Sequence, residues 1–171
     1  MSCEDEVFGR LRAKLTNQKN VQIISLHPPS GKAYETALVG FPIFDQGTRT
    51  RGRSHVDTIF ISSQALFLLE LKCFSHESAD DIEKLRRIRD QLGLTCVIEV
   101  ISKRVPDIGS DRLNMIQELI LGLAVEHHDT ELPEDFIILE CQSRLTLAHA
   151  GSRIPASVKT FLRDFADQVT F

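Results

Sequence analysis

The stretch HVDTIFISSQALFLLELKC, residues 55–73, decides the fold. Its two β-type runs, HVDTIFI (55–61) and ALFLLELKC (65–73), are separated by Ser62, Ser63 and Gln64 and read as a hairpin. Residues two apart in a strand share a face. The second run therefore presents Leu66, Leu68, Glu70 and Lys72 on one side, and Ala65, Phe67, Leu69, Leu71 and Cys73 on the other. Both faces are apolar over most of their length, the pattern of a strand covered on both sides. Glu70 and Lys72 need partners there, because unpaired buried charge is expensive.

Upstream of the hairpin, Val7, Phe8, Leu11 and Leu15 form one stripe of an amphipathic helix over 4–17. VQIISL (21–26) reads as a strand closed by the HPPSG turn signal. The stretch 33–46 is ambiguous, Pro42 arguing against a central strand, and GTRTRGRS (47–54) reads as a loop. Downstream, Ser78 and Asp81 suggest a cap for a helix carrying Ile82, Leu85, Ile88 and Leu92, which Gly93 ends. TCVIEVIS (95–102) reads as a strand. A helix capped by Ser110 follows, with Leu113, Ile116, Leu119, Ile120 and Leu123 on its apolar face. DFIILEC (135–141) is a further strand, and Val158, Phe161, Leu162, Phe165 and Val169 mark a last helix after Pro155. This alternation predicts an α/β fold, a central mixed sheet flanked by helices. The 171 residues fit one domain, 1–171.

The hairpin also carries chemistry. A tight turn at Ser63 and Gln64 places Asp57 opposite Glu70, and directly opposed residues have Cβ atoms about 4.5–5.5 Å apart; a slip of one residue would separate them. Two ionised carboxylates at that distance repel, and a divalent cation resolves the conflict, hard oxygen ligands suiting Mg²⁺ or Mn²⁺. Such an ion lowers the pKa of a bound water and polarises a phosphoryl oxygen. Lys72 can orient that water or stabilise charge on the phosphate. The alternative is an ion pair of Glu70 with Lys72 at a strand edge, with Asp57 a turn residue.

Asp57, a strand, a short turn and then Glu70-Leu71-Lys72 resemble the PD-(D/E)XK nuclease superfamily, and the following helix and strand fit its core. The thirteen-residue spacing from Asp57 to Glu70 is similar to that of small archaeal Holliday-junction resolvases in that group. The resemblance implies a restriction-endonuclease-like fold and an endonuclease or exonuclease acting on DNA or RNA. It implies that Asp57, Glu70 and the backbone carbonyl of Leu71 bind the metal while Lys72 assists the water. Many members add a glutamate from the first helix, for which Glu6 is the preferred match and Glu35 the second. The residue before Asp57 is Val56 rather than Pro, and Gln91 lacks the Tyr four residues later that marks one large branch. Small members often act as dimers, so a homodimer is among the implied partners, although no stretch reads as an interface. A nuclease fold kept only to bind nucleic acid or protein is the alternative.

Arg49, Arg51 and Arg53 precede Asp57 at alternate positions, as a phosphate clamp or as a solvated loop. Lys84, Arg86, Arg87 and Arg89 read as the solvent face of the next helix, or as backbone contacts. His55 is a further metal ligand or proton shuttle, or a structural residue at a strand entrance. His127 and His128 read as cations near a helix end. The net charge of −4, the one Tyr and the absence of Trp favour the binding module, since a basic face and base-stacking platforms are sparse. The four cysteines lie far apart without a CxxC pair, arguing against a disulfide scaffold or zinc site. No apolar run reaches the roughly 20 residues of a membrane span, and the acidic N-terminus lacks a signal core. An intracellular setting, cytoplasmic or nuclear, is expected.

Overall fold

The computed structural model describes residues 2–28, 39–44, 51–131 and 133–171, apart from the side chain of Arg51. The hairpin is formed by β4 (Thr58–Ser62) and β5 (Ala65–Phe74), antiparallel from the Ser62–Ala65 pair to the Thr58–Leu69 pair. Its two-residue loop puts Ser63 at φ 52°, in the left-handed region that tight hairpin loops use. On the outer side β1 (Val21–Leu26) pairs antiparallel with β4. On the inner side β6 (Glu118–His127) lies parallel to β5, followed by parallel β7 (Phe136–Cys141) and antiparallel β8 (Leu145–Ala150). Two-residue β9 (Gln168–Val169) closes the order β1-β4-β5-β6-β7-β8-β9. A separate ribbon pairs β2 (Gly40–Phe44) with β3 (Arg51–His55). GTRTRGRS thus ends in a strand rather than a loop, and Pro42 is accommodated because this ribbon lies outside the main sheet.

Helices cover both faces of the sheet. α1 (Cys3–Thr16) starts with a capping box between Ser2 and Asp5 and buries Val7, Leu11 and Leu15. With α4 (Ala156–Phe165) it covers the face bearing Phe67, Leu69 and Leu71. The other face, bearing Leu66 and Leu68, is covered by α2 (Ala79–Arg104), short α3 (Ser110–Asn114) and the ribbon residues Phe41 and Ile43. Arg86 and Arg89 of α2 clamp Asp135, which tethers the helix to the start of β7. Burial opposes the Asp135 charge, but these two hydrogen-bonded guanidiniums outweigh it and bring its pKa down to about 2.

Further expectations need correction, among them Val169, which lies in β9 rather than on the last helix. Residues 95–102 are helical, not a strand: Gly93, at φ 70°, ends one helical segment as expected, but a second helical segment follows it across the kink within α2. Val97 and Ile101, four apart, are buried while Thr95, Cys96 and Glu99 are exposed, so packing at helical spacing overrides the β-branched composition. The helix expected up to Leu123 is only α3, and its apolar continuation is strand β6. Residues 120–125 of β6 are all buried, as in a parallel strand covered on both faces. His127 and His128 accordingly lie at a strand end. Finally, Cys3 and Cys73 form a disulfide, with Cα atoms 5.6 Å apart. α1 crosses β5 at that point, a proximity that seventy intervening residues conceal. No helix among the described residues is long and apolar enough to cross a membrane.

Candidate active site

The polar end of the central strands lies one step past the last β4–β5 pair. Extending the Thr58–Leu69 register by one residue sets Asp57 opposite Glu70. Asp57 Oδ2 accepts a 2.9 Å hydrogen bond from the Leu71 N–H, so its carboxylate is drawn to the backbone between Glu70 and Lys72. In antiparallel pairing the N–H and C=O of one residue project to the same side. The Leu71 carbonyl accordingly borders the same space.

Glu70 is only 3% exposed. Lys84 Nζ, from α2, stands 2.8 Å from Glu70 Oε1 but off the hydrogen-bonding direction, leaving this buried oxygen charge-compensated without an aligned hydrogen bond. Burial and then the Asp57 carboxylate raise the Glu70 pKa well above the usual range, against the pull of Lys84. The same ammonium donates to the His55 carbonyl oxygen at 2.9 Å. Lys84 is thus not on the solvent face of its helix. The His55 imidazole is held towards its neutral form by burial, then by Lys84 and Arg53.

Lys72 lies 3.3 Å from Asp81 Oδ2 on α2 and 3.7 Å from Glu4 Oε1 on α1. Burial disfavours its charge, but Asp81, Glu4 and Asp57 outweigh it and raise its pKa. It therefore stays an ammonium, suited to stabilising anionic charge rather than to accepting a proton. The α1 acid that reaches this lysine is Glu4. Glu6 instead pairs with Arg10 one turn along at 3.2 Å. Glu35 and Arg49 fall outside the described residues, and of Arg51 only the backbone is described. Arg53 is exposed and lines a groove of about 330 Å³ with Gly40, Pro42, Val100, Lys103 and Arg104.

His27 joins the site without having been singled out by the sequence. It follows β1 directly, its N–H donates to the Asp57 carbonyl oxygen at 2.8 Å, and its ring Nε2 lies 2.9 Å from Ser25 Oγ. It is 6% exposed, so His27, Asp57 and Glu70 stand in one row across three strands. The only signal for it was a histidine directly behind an apolar strand, which the adjoining prolines disguise as a turn residue.

The donors at this point are the Asp57 and Glu70 carboxylates with the Leu71 carbonyl at their edge, hard oxygens of the kind that bind Mg²⁺ or Mn²⁺. Glu70 Oε1, buried and without an aligned hydrogen bond, is an oxygen such an ion would satisfy, so the donor set fits in kind. Among the described residues no three His, Cys, Asp or Glu side chains gather as a metal-holding group. Water and substrate would have to complete the coordination. Comparison with known proteins finds no matching family model, no similar curated protein and no similar solved structure.

Proposed function

We propose that this chain is a metal-dependent phosphodiesterase of the PD-(D/E)XK type, hydrolysing DNA or RNA. The observation that supports it most is the pairing register, which sets Asp57 opposite the buried Glu70 with Lys72 two residues further on the same face. An α/β sheet in which the hairpin is followed by a helix and a parallel strand agrees with that core. Asp57, Glu70 and the Leu71 carbonyl would hold the Mg²⁺ or Mn²⁺. When bound, such an ion supplies an acidified water and charge neutralisation at phosphorus. Asp57 is fixed for this role by the Leu71 N–H, and α2 shields Glu70 from water. The Lys72 ammonium, steadied by Asp81 and Glu4, would orient the attacking water and offset charge on the phosphate. Arg53, with Lys103 beside it, would meet backbone phosphates at the groove.

One observation favours a second reading, a nuclease-like module without activity that binds nucleic acid or protein. The charges of β5 already have partners on α2: Glu70 with Lys84, and Lys72 with Asp81. These crossed pairs alone could serve to dock the helix. Cleavage of single- and double-stranded substrates with Mg²⁺ or Mn²⁺, together with the Mn²⁺-dependent rise in unfolding temperature, separates the two. The enzyme reading expects cleavage and stabilisation in the wild type, both lost in Asp57→Ala. Glu70→Ala and Lys72→Ala should lose cleavage while remaining folded. No cleavage and no Mn²⁺ effect in the wild type would leave the module.

A further inference from the structure

Lys84 reaches the site from α2, one turn after Asp81. Its ammonium touches two oxygens from different elements, Glu70 Oε1 at 2.8 Å and the His55 carbonyl at 2.9 Å. This is the environment of a small cation among oxygen donors, at the residue that stands opposite Asp57. We propose that Lys84 is a resident counter-ion of the acidic pair, and that a divalent metal ion reaches Glu70 only by displacing it. The inference rests on the metal-site reading above and concerns how that site is kept before metal arrives.

Charge and mobility both support it. Lys72 is paired with Asp81 and Glu4 and acts on Asp57 only through space, so Lys84 is the ammonium in direct contact with Glu70. A divalent ion would bring two positive charges to the space between Glu70 and Asp57, where Lys84 brings one to Glu70. The Lys84 side chain is 25% exposed and Glu70 only 4%, so the carboxylate cannot follow its partner outward while the ammonium can swing into water. A lysine is suited to such exchange, as a strongly hydrated point charge on a flexible four-carbon stem. Removing the ammonium exposes a buried acid to no counter-charge, a state that strongly favours any other cation.

The test is Mn²⁺ binding to the full chain without nucleic acid, measured by calorimetry and by the shift in unfolding temperature. Wild type is compared with Lys84→Met, which keeps the apolar stem, and Lys84→Arg, which keeps the charge. Lys84→Met should bind Mn²⁺ about tenfold tighter than wild type, and Lys84→Arg within about threefold of it. Metal-free unfolding profiles establish that each variant folds, and Lys84→Gln replaces Lys84→Met should the latter not fold. Equal or weaker binding by the neutral variant, with wild-type binding abolished in Asp57→Asn, overturns the counter-ion role and leaves the metal site standing. Absence of Mn²⁺ binding in every chain overturns both.

Discussion

Glu70 is an acid placed where water cannot reach it, and that placement has a sign. Burial and the Asp57 carboxylate raise its pKa well above the ordinary range, so the folded chain favours its neutral form. The resulting stabilisation is complete below the ordinary glutamate range and is lost as pH rises through the raised folded value. Glu70→Gln, neutral at every pH, should therefore unfold at a higher temperature than wild type in metal-free buffer at neutral and alkaline pH. The difference should shrink in acid. Thermal unfolding across a pH series measures it, and a difference independent of pH would remove Glu70 as its source. At this scale the candidate site was half legible. Asp57, Glu70 and Lys72 could be placed because strand alternation and a two-residue loop are local rules. Lys84 and His27 could not, since the direction of a long side chain on α2 and the burial of a histidine beside two prolines are decided by distant contacts.

β6 shows why some elements resisted reading. Its run ELILGLAVEH carries apolar residues at helical as well as strand spacing, and what makes it a strand is being covered on both faces by its neighbours. Gly122 records how close those neighbours come. A Cβ there would lie 2.5 Å from Ile137 Cγ1, 2.7 Å from Leu69 Cδ2 and 2.9 Å from the Ile137 carbonyl oxygen. Gly122→Ala should cost about 1–3 kcal/mol, since the Ile137 backbone cannot yield as a side chain would. Urea unfolding would detect this as a lowered midpoint, and an unchanged midpoint would mean that β6 and β7 do not approach so closely. The opposite error at 95–102 has the same origin: Val97 and Ile101 pack at helical spacing in spite of their β preference. By contrast α1, β1, the hairpin and β7 were readable, because each is a run bounded by its own cap or turn signal.

Across the whole molecule, the Cys3–Cys73 bridge joins α1 to the strand that carries Glu70 and Lys72. It closes a long loop, so its loss through Cys3→Ser or by reduction should lower stability by about 2–4 kcal/mol. Denaturation with and without a thiol reductant measures the difference. Equal midpoints would mean that the bridge adds nothing to the apolar contacts of Val7, Leu11 and Leu15. Thiol labelling of the native oxidised chain should modify exposed Cys96 rapidly and spare Cys141, whose thiol burial pushes up to about 12. The loop at Ser63 and Gln64, at the far tip of the hairpin, acts on the same whole as a ruler. Lengthening or shortening it by one residue would leave every amino acid of β5 in place, yet would turn the side chains of Glu70 and Lys72 towards α1 and α4. The chemistry proposed at one rim of the sheet is thus metered by the length of a bend at the opposite rim, where no reacting group sits.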